Sequence, residues 1–157
     1  MDNTLMRITN NFIDWGNQNG AAMSPLKLQK LIYLYYARYY HLQGTLPFDD
    51  CFEKWPKGPV LRDLYETLKI FGGNAIAEPL LDVRGKIITF TVGVEPFNTP
   101  FQETACRYGL KTGGELVRLT HEGLSGVDHR TAWAKAPELG DMLRLDDVRE
   151  DGRYFFA

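Results

Sequence analysis

The chain has 157 residues, 44% hydrophobic and 24% charged, with a formal net charge of −2. That length supports a single domain whose core needs neither disulfides nor metals. The slight acidity leaves no overall positive field to attract nucleic acid.

From the N-terminus, the order of residues excludes a basic-then-apolar signal peptide. Leu5, Ile8, Phe12 and Trp15 recur at helical spacing, so a first helix is expected from about Asn3 or Thr4 to about Asn19, closed by Gly20. Ser24 as cap and Pro25 at the first helical position open a second helix, which should reach about Leu42 and end near Gly44. Its longest apolar run, Leu31 to Ala37, falls well short of the about 20 residues that span a bilayer. "TLPFDDCFEKWPKGP" reads as an irregular link, with a short strand or helical turn around Cys51 to Trp55. Pro59 is expected to open a third helix, with Leu61, Leu64, Tyr65 and Leu68 on one face and Gly72-Gly73 ending it.

The period then changes. "LLDVRGKIITFTV" carries β-branched and aromatic residues on both sides of Arg84-Gly85, the pattern of a small hairpin. Thr99 and Pro100 repeat the cap-then-proline signal and start a fourth helix, "TGGELVRLTHEG" gives a short fifth, and "DHRTAWAKA" a sixth. The tail "LDDVREDGRYFFA" reads as a last turn with its aromatics folded back. The predicted fold is α+β and predominantly α-helical: one domain over residues 1–157, a compact bundle around a central tyrosine-rich helix with one small β-hairpin.

Tyr33, Tyr35, Tyr36, Tyr39 and Tyr40 crowd that central helix. At about 100° per residue, Leu28, Leu31, Ile32, Tyr35, Tyr39 and Leu42 form one apolar side. Tyr33, Tyr36 and Tyr40, with Gln29 and Ala37 among them, form a second side, and Lys27, Lys30, Arg38 and His41 lie in a polar strip between the two. Either other helices wrap both sides, or part of the tyrosine side faces a groove, where a rigid ring with a polar tip suits binding.

Gly58 must be extended or left-handed ahead of Pro59. A helix beginning at Pro59 would aim its free amides toward Trp55, either as an anion or carboxylate site or simply as a sharp turn with Trp55 in the core. His121-Glu122 and Asp128-His129 lack the HExxH spacing and flank a glycine-containing loop, so no metal site is expected. His121 instead suits a cation at a helix C-terminus. Asp49-Asp50 point in different directions and read as a turn. No nucleophile-elbow, phosphate-loop or Cys–His signature is present, so neither catalytic residues nor a cofactor are expected. Glu115, near the start of the fifth helix, argues against DNA reading by the isolated chain and leaves DNA-binding autoregulation only to a complex with a partner. Cys51 and Cys106 stand far apart without CxxC or CxxH neighbours, as in a reducing cytoplasm.

The "KLQKLIY" helix start, the aromatic run after it, "LPFDD" and "EKWPKGPVLRDLY", followed by "ELVRLTHEG" and "AWAKA", resemble the Panacea domain, the SocA-like antitoxin or phage-associated GepA-type family. The resemblance spans roughly Met23 to Ala136. In one departure, Gly123 to Asp128 lengthens the interval between Thr120-His121 and Trp133, and no proline precedes the tryptophan. The resemblance implies an antitoxin of a bacterial or phage-borne type II toxin–antitoxin pair, cytoplasmic, neutralising a cognate toxin protein by direct contact. The alternative it implies is a proteolytic adaptor that hands its partner to a protease complex. It supplies no catalytic residue, cofactor or membrane partner. Gln29, Tyr33, Tyr36, Tyr40, Trp55, Gly58 and Pro59 are the expected partner contacts.

Overall fold

A computed structural model describes residues 1–157, with seven α-helices, one 3-10 turn and one two-stranded antiparallel hairpin. Helix α1 (Asn3–Asn19) starts where the Asp2 carboxylate accepts from the amides of Thr4 and Leu5, and it ends at Gly20 with φ +66°. Helix α2 (Pro25–Gln43) is capped by Ser24, whose hydroxyl accepts from the Lys27 amide, and ends at Gly44 with φ +74°. Both follow the sequence signals closely.

The hairpin lies elsewhere than expected. Strands β1 (Glu53–Trp55) and β2 (Gly58–Val60) pair with Trp55 opposite Gly58 and Lys54 opposite Pro59. Pro59 therefore sits in a strand and does not open a helix; helix α3 begins at Arg62 and runs to Leu68, followed by the 3-10 turn Lys69–Phe71. A proline is tolerated here because Lys54 turns its backbone groups away from it. The Lys54 amide donates to the Asp141 carbonyl at 2.8 Å and its own carbonyl accepts from the Gly140 amide at 2.7 Å.

Around Arg84-Gly85, where the hairpin was expected, only one bridge forms, between Leu81 and Ile87. Two α1 side chains take the bonds that a ladder would have made. Asn10 donates to the carbonyls of Leu80 and Ile88 at 3.0 and 2.9 Å and accepts from the Leu80 amide at 2.7 Å. Asn11 does the same for both backbone groups of Phe90, at 3.0 and 2.8 Å.

Helix α4 (Asn98–Tyr108) starts slightly ahead of the predicted Thr99 cap. Helix α5 (Gly113–Glu122) carries a reciprocal Thr112–Glu115 capping box, and α6 (Ala132–Lys135) is a single turn capped by Thr131. The C-terminal segment is a full helix, α7 (Leu145–Tyr154), where the sequence suggested one turn. Helix α2 runs through the middle, touched by α1, α3, α4, α5, α7 and β2. The closest approach is to α7: a Cβ placed on Gly152 would fall 2.0 Å from the Ala37 carbonyl oxygen. No helix is long and apolar enough to cross a membrane.

Candidate partner-binding site

The tyrosine side of α2 is not a surface. Tyr33 and Tyr36 are fully buried. The Tyr33 hydroxyl donates to Asp151 on α7 at 2.5 Å, and its ring meets Phe52 edge-on. Tyr36 packs against Phe48 and Phe52 and donates to the Asp50 carbonyl at 3.0 Å. Tyr40 is half-buried with the Arg149 guanidinium 5.3 Å above its ring. Of the two readings of this side, the wrapped one holds at Tyr33 and Tyr36 and the tyrosine-lined groove is corrected there: α7 lies over Tyr33, Ala37 and Tyr40, while Phe48 and Phe52 cover Tyr36.

Asp151 is the anchor of that cover. Besides Tyr33, its carboxylate accepts from the Ala132 amide at 3.2 Å and has His129 Nε2 at 2.6 Å. Burial raises its pKa above the ordinary carboxylate value, against the opposing pull of His129 and Tyr33. Burial, followed by the Asp151 charge, raises the Tyr33 hydroxyl well above its usual value.

Open surface appears at the other end of α2. Gln29 uses its whole side-chain amide on Leu61, donating to the carbonyl and accepting from the amide, both at 3.0 Å. Trp55 projects beside it, its indole N–H bonded to Glu53 at 2.8 Å and its ring 4.8 Å from Tyr65. Arg62 pairs with Glu53 at 2.9 Å and lies 5.4 Å over the indole, so the ring is braced on two sides. Tyr65, placed on the buried face of α3 by periodicity, is 40% exposed. Trp55, Tyr65, Leu26, Val60 and Gln29 line a groove of about 550 Å³, with Lys57 and Lys69 on its rim.

Residues 28–91 match the family model of the antitoxin SocA-like Panacea domain. No curated protein and no solved structure matches the chain. The Panacea match begins inside α2, takes in the β-hairpin and α3, and ends beyond the Arg84-Gly85 turn. It therefore includes Gln29, Tyr33, Tyr36, Tyr40, Trp55, Gly58 and Pro59. The fold brings Gln29, Trp55, Gly58 and Pro59 to one end of α2. Tyr40 stands eleven residues from Gln29, about 16 Å along the helix, and does not join them.

Beneath the groove the matched segment holds a buried polar joint that periodicity did not reveal. Lys30, assigned to the polar strip, is fully buried and donates to the Pro59 carbonyl at 2.7 Å. Burial lowers its pKa to about 7. Gly58 has φ +101°, and a Cβ there would fall 2.7 Å from the Thr120 hydroxyl and 2.8 Å from the Lys30 stem, so only glycine fits. His121 stacks on Trp133 at 3.6 Å, and the Trp133 indole donates to the Trp55 carbonyl at 2.8 Å. His121 lies in the last turn of α5, as expected, and burial, then Lys30, lowers its pKa. The lengthened Gly123–Asp128 loop does not prevent the Thr120-His121 pair from meeting Trp133; Gly123 and Gly126 adopt φ +80° and +79° within it.

Proposed function

We propose that this protein is an antitoxin that silences a cognate protein toxin by direct binding, and that the toxin docks in the groove that Trp55 and Tyr65 line together. The observation that carries this reading is the Trp55–Tyr65 pair, held by Glu53 and Arg62 at the mouth of an open groove inside the Panacea-matched segment. Binding energy concentrates in rigid aromatic anchors beside desolvated pockets, and this pair has that form. Trp55 is the contact residue. Gln29, Gly58 and Pro59 hold the groove's floor and hairpin, while Tyr33 and Tyr36 brace the scaffold from within. The toxin, seated on this end of α2, loses access to its own target.

The test is expression of the adjacent reading frame with and without this chain. The frame's product alone should halt growth, and the chain should restore it. Trp55→Ala with Tyr65→Ala should abolish rescue while leaving thermal unfolding unchanged. Rescue at full strength by the folded double variant would place the toxin elsewhere. A toxin that disappears in a degradation time course, where it should persist in a stable complex, would make the chain an adaptor.

A further inference from the structure

Leu81, Val83, Ile87, Val92 and Val94, all between α3 and α4, are each more than half exposed. Neither the core nor the groove uses them. Within this stretch, "KIITFTV" (Lys86 to Val92) has the composition of a strand but, beyond the single Leu81–Ile87 bridge, belongs to no sheet. One edge of it is satisfied: the Ile88 carbonyl and both backbone groups of Phe90 bond to Asn10 and Asn11 on α1. Strand alternation turns the backbone of Ile87, Thr89 and Thr91 the other way, and none of these three amides has an acceptor in the chain. The Thr89 carbonyl accepts from Arg7 at 2.8 Å and that of Thr91 from the Val94 amide at 3.2 Å, each with a second lone pair to spare. A groove of about 290 Å³ beside Thr89 and Thr91 is lined by Arg7, Val94, Glu95 and Phe97.

We infer that this edge pairs with the same edge of a second copy of the chain, antiparallel about a two-fold axis through Thr89. The free donors at 87, 89 and 91 are symmetric about 89. In that register each Ile87 amide meets a Thr91 carbonyl, each Thr91 amide an Ile87 carbonyl, and the two Thr89 residues exchange bonds, so every free donor gains an acceptor. Charge selects the same direction. Arg84 and Lys86, with Asp82 beside them, lie before the edge and Glu95 after it, so antiparallel pairing sets net-basic ends beside acidic ends, whereas parallel pairing sets like beside like; Arg7, on the Thr89 carbonyl, meets its own copy in either direction and does not select between them. The exposed valines flank the join, covering surface that would otherwise invite uncontrolled edge-to-edge association.

Sedimentation equilibrium of the purified full chain, without toxin, tests the pairing independently of the antitoxin reading. The expected result is a mass of two copies. Thr89→Pro, which removes the central donor, and Ile87→Lys should each raise the dimer dissociation constant at least about ten-fold with unchanged thermal unfolding. Reversing Arg84→Glu should weaken the dimer, and adding Glu95→Arg should restore it. A chain that stays monomeric at every concentration, or a dimer indifferent to both edge variants, overturns the inference. So does a monomer that uses Ile87 to capture the toxin.

Discussion

Lys30 has a single acceptor, the Pro59 carbonyl, in a site where burial lowers its pKa from 10.5 to about 7. Between those values the unfolded chain holds the proton and the folded chain does not, so unfolding takes up protons and stability rises with pH across that window. Below about 7 the cost of the buried charge is fully present; above 10.5 it is gone. Denaturant titrations at successive pH values should therefore show a rise in wild type that Lys30→Met flattens, and an unchanged rise in the variant would remove Lys30 as its source. Asp151 supports the opposite face of α2 through bonds that arrive as donors from Tyr33 and the Ala132 amide. Asp151→Ala leaves both unpaired and should cost about 3 kcal/mol in chemical denaturation. A loss below about 1 kcal/mol would mean that water replaces the carboxylate. Neither residue announced its burial: a lysine among Leu28, Leu31 and Gln29 and an aspartate in "VREDG" both have the pattern of a solvated strip.

Elements with complete local signals were legible; those built on absent side chains were not. Gly20, Ser24 and Gly44 mark ends of α1 and α2 in the sequence as in the structure, which adds the Asp2 cap of α1. Helix α7 exceeds the single turn expected of the tail because its inward side continues from Val148 through Asp151 and Gly152, neither of which adds to an apolar stripe. Gly152 is a point of close approach, with no room for a Cβ against the Ala37 carbonyl. Gly152→Ala should cost about 3 kcal/mol or more and speed hydrogen exchange around Tyr33; protection at wild-type levels would contradict the close contact. Pro59 misled for a related reason, since its tolerance in β2 depends on where Lys54 sends its bonds, and that is fixed by the distant Asp141 and Gly140. The misplaced hairpin has the same origin in tertiary competition. Asn10→Ala removes three side-chain bonds to Leu80 and Ile88, and should lower stability by about 2 kcal/mol while exposing residues 80–92 to protease; resistance equal to wild type would show that the segment holds without it.

At the scale of the molecule, one helix touches most of the others, and this follows from a segment apolar around most of its circumference. That centrality was readable in the second helix. Of the two readings the sequence left open for its tyrosine side, the wrapped one holds at Tyr33 and Tyr36, so the candidate surface moves to the end of α2 where the hairpin and α3 hold Trp55 and Tyr65 apart from the core. Thr120-His121 and Trp133, distant in sequence from the Panacea-matched segment, reach the same place and support the hairpin from behind. Calorimetric titration of the purified chain with the product of the adjacent reading frame, comparing Trp55→Ala with Tyr33→Phe, separates groove from scaffold most directly. Trp55→Ala should weaken binding by about 2 kcal/mol or more, roughly thirty-fold, while Tyr33→Phe lowers stability and leaves affinity unchanged. Affinity lost in Tyr33→Phe and kept in Trp55→Ala would contradict the docking site.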